Sequence, residues 1–330
     1  MRFVRIGVLG AARIAPAALM KPTAVVDGVG VAAIAARDPQ RARRFAAKFA
    51  VPKVHAGYAD LIGDPEIDAV YIPLPNGLHH EWMLAAIRAG KHVLCEKPFT
   101  SNASQAREVA DAAAGTDRVV MEAFHYRYHP LARRMEQVVR SGQLGEIQRV
   151  ETSMCFPLPR FGDIRYNYDL AGGALMDAGC YAVHCLRLLA PGTPKVAAAK
   201  ALTLKRDPRI DRAMTAEFEF DGGASGRIHT SMWSSTLLRI RAAVFGSRGK
   251  LVVSNFAVPQ LPSRFVLTVG RQRRRETFDK TPTYVHQLRA FVAACGGDPA
   301  ANLTPPADSV ATMSLLDDIY TAAGLPLRGA

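Results

Sequence analysis

The stretch FVRIGVLGAARIA (Phe3–Ala15) decides how the rest of the chain is read. Val4, Ile6, Val8 and Leu9 form a short apolar run that stops at Gly10, and helix-compatible residues follow. Gly10, Ala12 and Ala15 occupy the three small-residue places of a G-x-G-x-x-G turn, two of them filled by alanine. Gly10 permits the tight turn, a small residue at 12 lets backbone amides approach a pyrophosphate, and Ala15 lets the helix pack close to the strand. The start of that helix would offer free amides and its positive dipole end to an anion. Gly10, Ala12, Arg13 and Ile14 are therefore candidate dinucleotide-binding residues.

Outward from this turn the alternation of strand and helix continues to about residue 125. VGVAAIAA (29–36), DAVYIP (68–73), KHVLCE (91–96) and RVVMEAF (118–124) read as strands. Helix-period segments lie between them at 38–49, 77–89 and 102–114. Strands separated by helices predict a doubly wound parallel sheet of the Rossmann type over residues 1–125. After Pro130 the texture changes. A helix at 131–141 leads into EIQRVETSMCF (146–156), a long loop and a helix over 174–189. Then come the strand-like runs KVAAAKALTL, AMTAEFEF, ASGRIHTSMW, LRIRAAVFG, KLVVSN and RFVLTV. Strands without intervening helices predict an open, largely antiparallel sheet with one face exposed. Residues 126–330 are thus expected to form an α+β domain, closed by helices around 284–295 and 307–323.

Composition narrows the function classes. The 330 residues are 49% hydrophobic and 22% charged, which excludes disorder and low-complexity architectures. No run approaches the ~18 apolar residues of a membrane span, so a soluble, cytoplasmic protein without membrane partners is expected. The formal charge of +13 favours anionic partners. The basic residues are dispersed, however, with none of the aromatic-interleaved stripes that nucleic-acid grooves carry, and a phosphorylated cofactor accounts for the sign without nucleic acid. Five cysteines without a CxxC spacing read as reduced thiols.

The end of the second strand, AIAARDP (33–39), bears on which dinucleotide is bound. An NAD-selective strand ends in an acid that holds the ribose 2′-hydroxyl, whereas NADP requires that acid to be absent and a cation to be near. Ala36 stands at the acid's place and Arg37 follows, which points to NADP over NAD with Arg37 as the 2′-phosphate clamp. Asp38 and Pro39 read as cap and first turn of the next helix.

The segment YIPLPNGLHHEWMLAAIRAGKHVLCEKPFT (71–100) follows a parallel strand, so Pro75, Asn76 and His79 fall at the carboxyl edge of the sheet, where such folds bind ligands. Asn76 is placed to cap the next helix. Glu96, Lys97 and Pro98 sit at the same edge one strand on. A lysine beside a carboxylate and a proline suits acid–base work better than surface solvation. In GGALMDAGCYAVHCLRLL (172–189), Asp177, Tyr181 and His184 recur at i, i+4 and i+7, so one helix face would present a carboxylate, a phenol and an imidazole.

These motifs together resemble the Gfo/Idh/MocA family of NAD(P)-dependent oxidoreductases over the whole chain. In that family the Glu-Lys-Pro motif contributes an active-site lysine, and its proline is commonly cis. An Asp-x-x-x-Tyr pair on the later helix, with MEAFHYRYHP (121–130) and DIRYNYDLAGG (163–173), is similar to the branch of glucose-fructose oxidoreductase, D-xylose dehydrogenase and dimeric dihydrodiol dehydrogenase. The sequence departs from the branch at Ala12, where a second glycine is usual, and at His125, where methionine is frequent. The resemblance implies a hydride exchange between a nicotinamide and a hydroxyl or ketone of a sugar or cyclic diol, and a homodimer or homotetramer. It also implies Lys97, Tyr181 and Asp177 as catalytic residues and Arg127, Arg165, His184 and His125 as further substrate contacts. Tyr181 would exchange the proton with Lys97 favouring its phenolate, although the two roles can be interchanged. A catalytically silent dinucleotide-sensing regulator of the same fold is the competing reading, and it predicts loss of the lysine or its partner. Metal binding by His125 and His129, or by Cys180, His184 and Cys185, lacks a completing carboxylate, so no metal is expected.

Overall fold

A computed structural model describes residues 3–329, which fall into two compact units. The first contains the chain up to Tyr128 together with Tyr284–Val310. Its six-stranded sheet is built from β1 (Val4–Leu9), β2 (Val29–Ala35), β3 (Lys53–Val54), β4 (Ala69–Ile72), β5 (His92–Cys95) and β6 (Val120–Glu122) in the order β3-β2-β1-β4-β5-β6. Every pairing is parallel. This is the doubly wound order, in which the sequence of strands reverses between β1 and β4 and leaves a crevice beyond their carboxyl ends. Ile6, Val8, Ile34, Tyr71 and Leu94 lie in the core with at most 1% exposure, as strands covered on both faces require.

The boundary expected at 125/126 lies at Tyr128/His129, and the returning segment 284–310 is part of the first unit. Val285, Leu288, Phe291 and Val292 of the helix Thr283–Cys295 pack into its core. The same segment covers the sheet edge: the Glu122 amide donates to the Thr304 carbonyl at 3.1 Å, and the Thr304 hydroxyl donates to the Glu122 carbonyl at 2.7 Å. An edge closed in this way offers no template to another strand.

The second unit holds an eight-stranded sheet. Its strands are β7 (Ile147–Cys155), β8 (Pro194–Leu204), β9 (Asp207–Phe220), β10 (Ser225–Ser231), β11 (Arg239–Gly246), β12 (Gly249–Ser254), β13 (Arg264–Val269) and β14 (Gln272–Glu276). They run in the order β14-β13-β12-β11-β7-β10-β9-β8, and among these neighbours only β7 and β10 pair in parallel. β14 has no apolar alternation to announce it, because QRRRE is an exposed edge strand protected by charge. The helix expected over 174–189 is in two parts, a π turn Leu175–Gly179 and an α-helix Cys180–Leu189. Two buried strand hydroxyls meet its carbonyls, Thr230 at Ala174 (3.2 Å) and Thr152 at Ala182 (2.8 Å), and fix it on the sheet. Among the described residues no helix is long and apolar enough to cross a membrane.

Candidate active site

In the first unit, all the sequence-selected residues lie just beyond the carboxyl ends of the parallel strands. Gly10 follows β1 with φ +103°, in the left-handed region that favours glycine, and a Cβ there would approach Leu74 to 3.0 Å. Ala12 is half-buried and Arg13 and Ile14 are exposed. Ala36 is buried at the end of β2 and Arg37 is exposed. Asp38 caps the helix Pro39–Phe49 by accepting the amides of Gln40 (2.9 Å) and Arg41 (3.2 Å). That cap sets the direction of Arg41, whose Nη2 donates to the Ala11 carbonyl at 3.0 Å. A second guanidinium therefore stands at the dinucleotide turn. The sequence signal for it is an arginine one turn into a helix whose cap was already legible.

Beyond β4, Pro75 and Asn76 are half-buried, and Asn76 opens a 3-10 turn Asn76–Leu78. This turn separates Asn76 from the helix His79–Arg88, whose cap position is Leu78, so the expected capping role is corrected. His79 is fully buried with Nδ1 2.8 Å from the Pro98 carbonyl and Nε2 2.9 Å from the Leu74 carbonyl. The ring ties the loop after β4 to the loop after β5, and burial lowers its pKa.

Beyond β5, the Lys97–Pro98 peptide bond is cis. Glu96 accepts the phenol of the buried Tyr71 at 2.7 Å, which holds this carboxylate inward, while Lys97 is half-buried. His125, after β6, packs against Tyr284 with ring centroids 4.2 Å apart and the planes tilted by 42°. Burial first, and the Lys97 ammonium second, hold its pKa down at about 3, so it is a neutral aromatic wall at working pH. Arg127 is half-buried two residues on.

In the second unit, Asp177 lies in the π turn and Tyr181 and His184 in the helix that follows, both buried with 5% and 3% exposure. Arg165, in the loop between β7 and that helix, donates from Nε to Asp177 Oδ1 at 3.0 Å and from Nη1 to Asp163 Oδ1 at 3.2 Å. The Asp177 carboxylate raises the Arg165 pKa above its ordinary value, and the guanidinium is fixed between two acids. Asp163, which the sequence reading passed over, also accepts the Arg165 amide at 3.1 Å and so seats this arginine. Arg165 and Asp177 are thus brought together directly, which their spacing alone does not announce.

The sequence matches a family model for the oxidoreductase family with an NAD-binding Rossmann fold over residues 4–124, and one for the GFO/IDH/MocA C-terminal domain over residues 132–252. It is 37% identical over 321 residues to D-xylose 1-dehydrogenase (NADP(+)) 2 of Haloferax volcanii, covering 96% of each chain. It is 32% identical to dTDP-3,4-didehydro-2,6-dideoxy-alpha-D-glucose 3-reductase of Actinomadura kijaniata, over 97% of this chain and 96% of that one. A crystal structure of the 3-ketoreductase KijD10 from Actinomadura kijaniata, with NADP and TDP-benzene, superposes with a TM-score of 0.88 at 28% identity, covering 97% of this chain and 98% of that one. With both halves of the chain matched in this way, the protein belongs to the Gfo/Idh/MocA family of NAD(P)-dependent oxidoreductases.

Proposed function

We propose that the protein is an NADP-dependent dehydrogenase or reductase acting on a hydroxyl or ketone carbon of a sugar or cyclic diol. The observation that carries this reading is the set of groups at the carboxyl edge of the parallel sheet. It comprises a glycine turn, an apolar end to β2 with Arg37 and Arg41 beside it, and the Lys97 ammonium after β5. The residues fit NADP. Gly10 and Ala12 leave the backbone open to a pyrophosphate, Ala36 presents no carboxylate to repel a 2′-phosphate, and two guanidinium groups are at hand to hold it. When bound, the nicotinamide supplies the hydride donor or acceptor.

The chain's own residues handle the proton and orient the substrate. Tyr181 takes the hydroxyl proton in oxidation and returns it in reduction, and Lys97 is the second group proposed for the acid–base chemistry. Asp177, held by Arg165, accepts a substrate hydroxyl, and His184, Arg127 and the neutral His125 complete the contacts. His79 serves as a brace for Pro75, Asn76, Glu96 and Lys97. D-Xylose, on the strength of the Haloferax volcanii relative, is the first sugar to try. The free state of all five cysteines suits a reducing compartment, so the reading includes a cytoplasmic location, and with it a homodimer or homotetramer.

The regulator reading loses support because the lysine and tyrosine are both present and the similar chains are named enzymes. The test is absorbance of reduced nicotinamide on mixing the protein with NADP+ and a panel of D-xylose, D-glucose, other pyranoses and dihydrodiols. Lys97→Met is expected to lower turnover by about 10²-fold or more, as acid–base groups do, with NADP+ binding retained. Turnover unchanged by Lys97→Met would refute the mechanism.

A further inference from the structure

A fully buried ion pair in the second unit lies apart from the proposed catalytic groups. Asp211 on β9 and Arg328, beyond the helix Pro306–Ala322, pair at 2.9 Å with both side chains 0% exposed. Such a pair is poor value as a stabiliser, because removing both charges from water costs about as much as their attraction returns. What distinguishes it is where the other bonds go. Asp211 Oδ2 accepts the Leu175 amide at 2.6 Å, in the first residue of the π turn that carries Asp177. Arg328 Nε donates to the Gly172 carbonyl at 2.7 Å. Tyr320 donates its hydroxyl to Asp211 Oδ1 at 3.0 Å, and the guanidinium lies over the Tyr320 ring at 4.1 Å and the Tyr168 ring at 5.1 Å.

The segment between the two anchored points has no slack. The Gly173 amide donates to the Arg165 carbonyl at 2.8 Å, and the Gly172 amide donates to the Asn167 carbonyl at 2.8 Å. A Cβ at Gly172 would come within 2.6 Å of the Arg165 carbonyl oxygen. Gly173 has φ +139°, and a Cβ there would run into the Asp211 carboxylate. The ion pair thus sets, through backbone groups, both the loop that carries Arg165 and the turn that begins at Leu175.

We propose that Asp211 and Arg328 are positioning residues, which act through the Gly172 carbonyl and the Leu175 amide to hold Arg165 and Asp177 in the register that presents the Asp177 carboxylate to substrate. This rests on the role given to Asp177 above. Arg328→Met keeps much of the volume and removes every donor. It should lower kcat for NADP+-dependent oxidation of D-xylose or D-glucose by about ten-fold or more, since a misplacement of about 1 Å can cost about 100-fold. The dissociation constant of NADP+ should stay within about two-fold of wild type, because the cofactor residues belong to the other unit. Arg328→Lys, which restores the charge and the donors of a single nitrogen, should recover part of the loss.

The decisive comparison is made in an Asp177→Asn background. If the pair works through Asp177, adding Arg328→Met should cost little more there, whereas a full second loss would overturn the proposal. Should Arg328→Met fail to fold, Asp211→Asn, which preserves volume and an acceptor for the Leu175 amide, is read in the same way. If the wild-type protein oxidises none of the panel, the proposed function fails, and the crystal structure of Arg328→Met still decides the positioning role. Separation of Arg165 Nε from Asp177 Oδ1 beyond about 4 Å supports it, and retention of the 3.0 Å contact refutes it.

Discussion

At position 36 a buried methyl group stands where an NAD-selective strand would place a carboxylate, and Arg37 and Arg41 follow it. Restoring the acid reverses the argument. Ala36→Asp should weaken NADP+ and improve NAD+, because a carboxylate repels the 2′-phosphate and accepts a ribose hydroxyl. The ratio of kcat/KM for the two cofactors measures this directly, and an unchanged ratio would mean that the 2′-phosphate is held elsewhere. The place of Arg37 just past the end of β2 could be read from the sequence because it follows from one strand. Arg41 could not be read with equal ease, since its contact with the Ala11 carbonyl depends on the angle of the helix that carries it. The partnership of Arg165 with Asp177 crosses an irregular loop and that of Asp211 with Arg328 joins residues far apart in the chain, and no local pattern encodes either.

Elements were legible wherever local chemistry and packing agree. The five parallel strands with clear apolar runs and most of the antiparallel ones lie where their patterns put them. β3 is too short, at two exposed residues, to show any period, and β14 carries only polar side chains. The π turn escaped because nothing in LMDAG departs from helical composition; its wide geometry is fixed from outside, by the Thr230 hydroxyl at the Ala174 carbonyl and Asp211 at the Leu175 amide. The helix Pro39–Phe49 is the opposite case, with a cap written in its own sequence. Asp38→Ala leaves two first-turn amides without their acceptor and should cost about 1 kcal/mol of stability, read as a shift in the urea midpoint at unchanged slope. Asp38→Ser should recover most of it. A loss of NADP+ affinity in Asp38→Ala alone would further tie this cap to the placing of Arg41.

Across the first unit, the two edges of the parallel sheet divide the labour: the carboxyl edge bears Gly10, Arg37, Asn76 and Lys97, while the amino edge carries a cluster of ions paired with one another and with the backbone. Arg5 pairs with Asp68 at 2.9 Å, and Lys91, nearly buried, donates to the carbonyls of Asp64 at 2.7 Å and Ile67 at 2.8 Å. Asp64 accepts from Lys53 at 2.7 Å, from the Glu66 amide at 2.9 Å and, when its ring nitrogen carries a proton, from His55 at 3.0 Å. The Lys53 hydrogen bond foremost, then the Glu66 amide, hold the Asp64 carboxyl down from its ordinary 3.8 to about 2. A folded-state pKa below the unfolded one means that the ionised form is favoured by folding. The contribution is therefore fully present above 3.8 and is lost as pH falls from there through about 2. Asp64→Asn should accordingly melt below the parent at pH 7 and pH 5, and the gap should close between pH 4 and pH 2. The comparison is made at constant ionic strength, because the net charge of +13 grows as carboxylates protonate and self-repulsion then lowers both melting temperatures. Turnover of Asp64→Asn at neutral pH should match the parent, since no group at this edge belongs to the proposed chemistry. A gap that persists unchanged to pH 2 would assign the loss to packing and the Glu66 turn, and the carboxylate's charge would then have no part in holding this edge together.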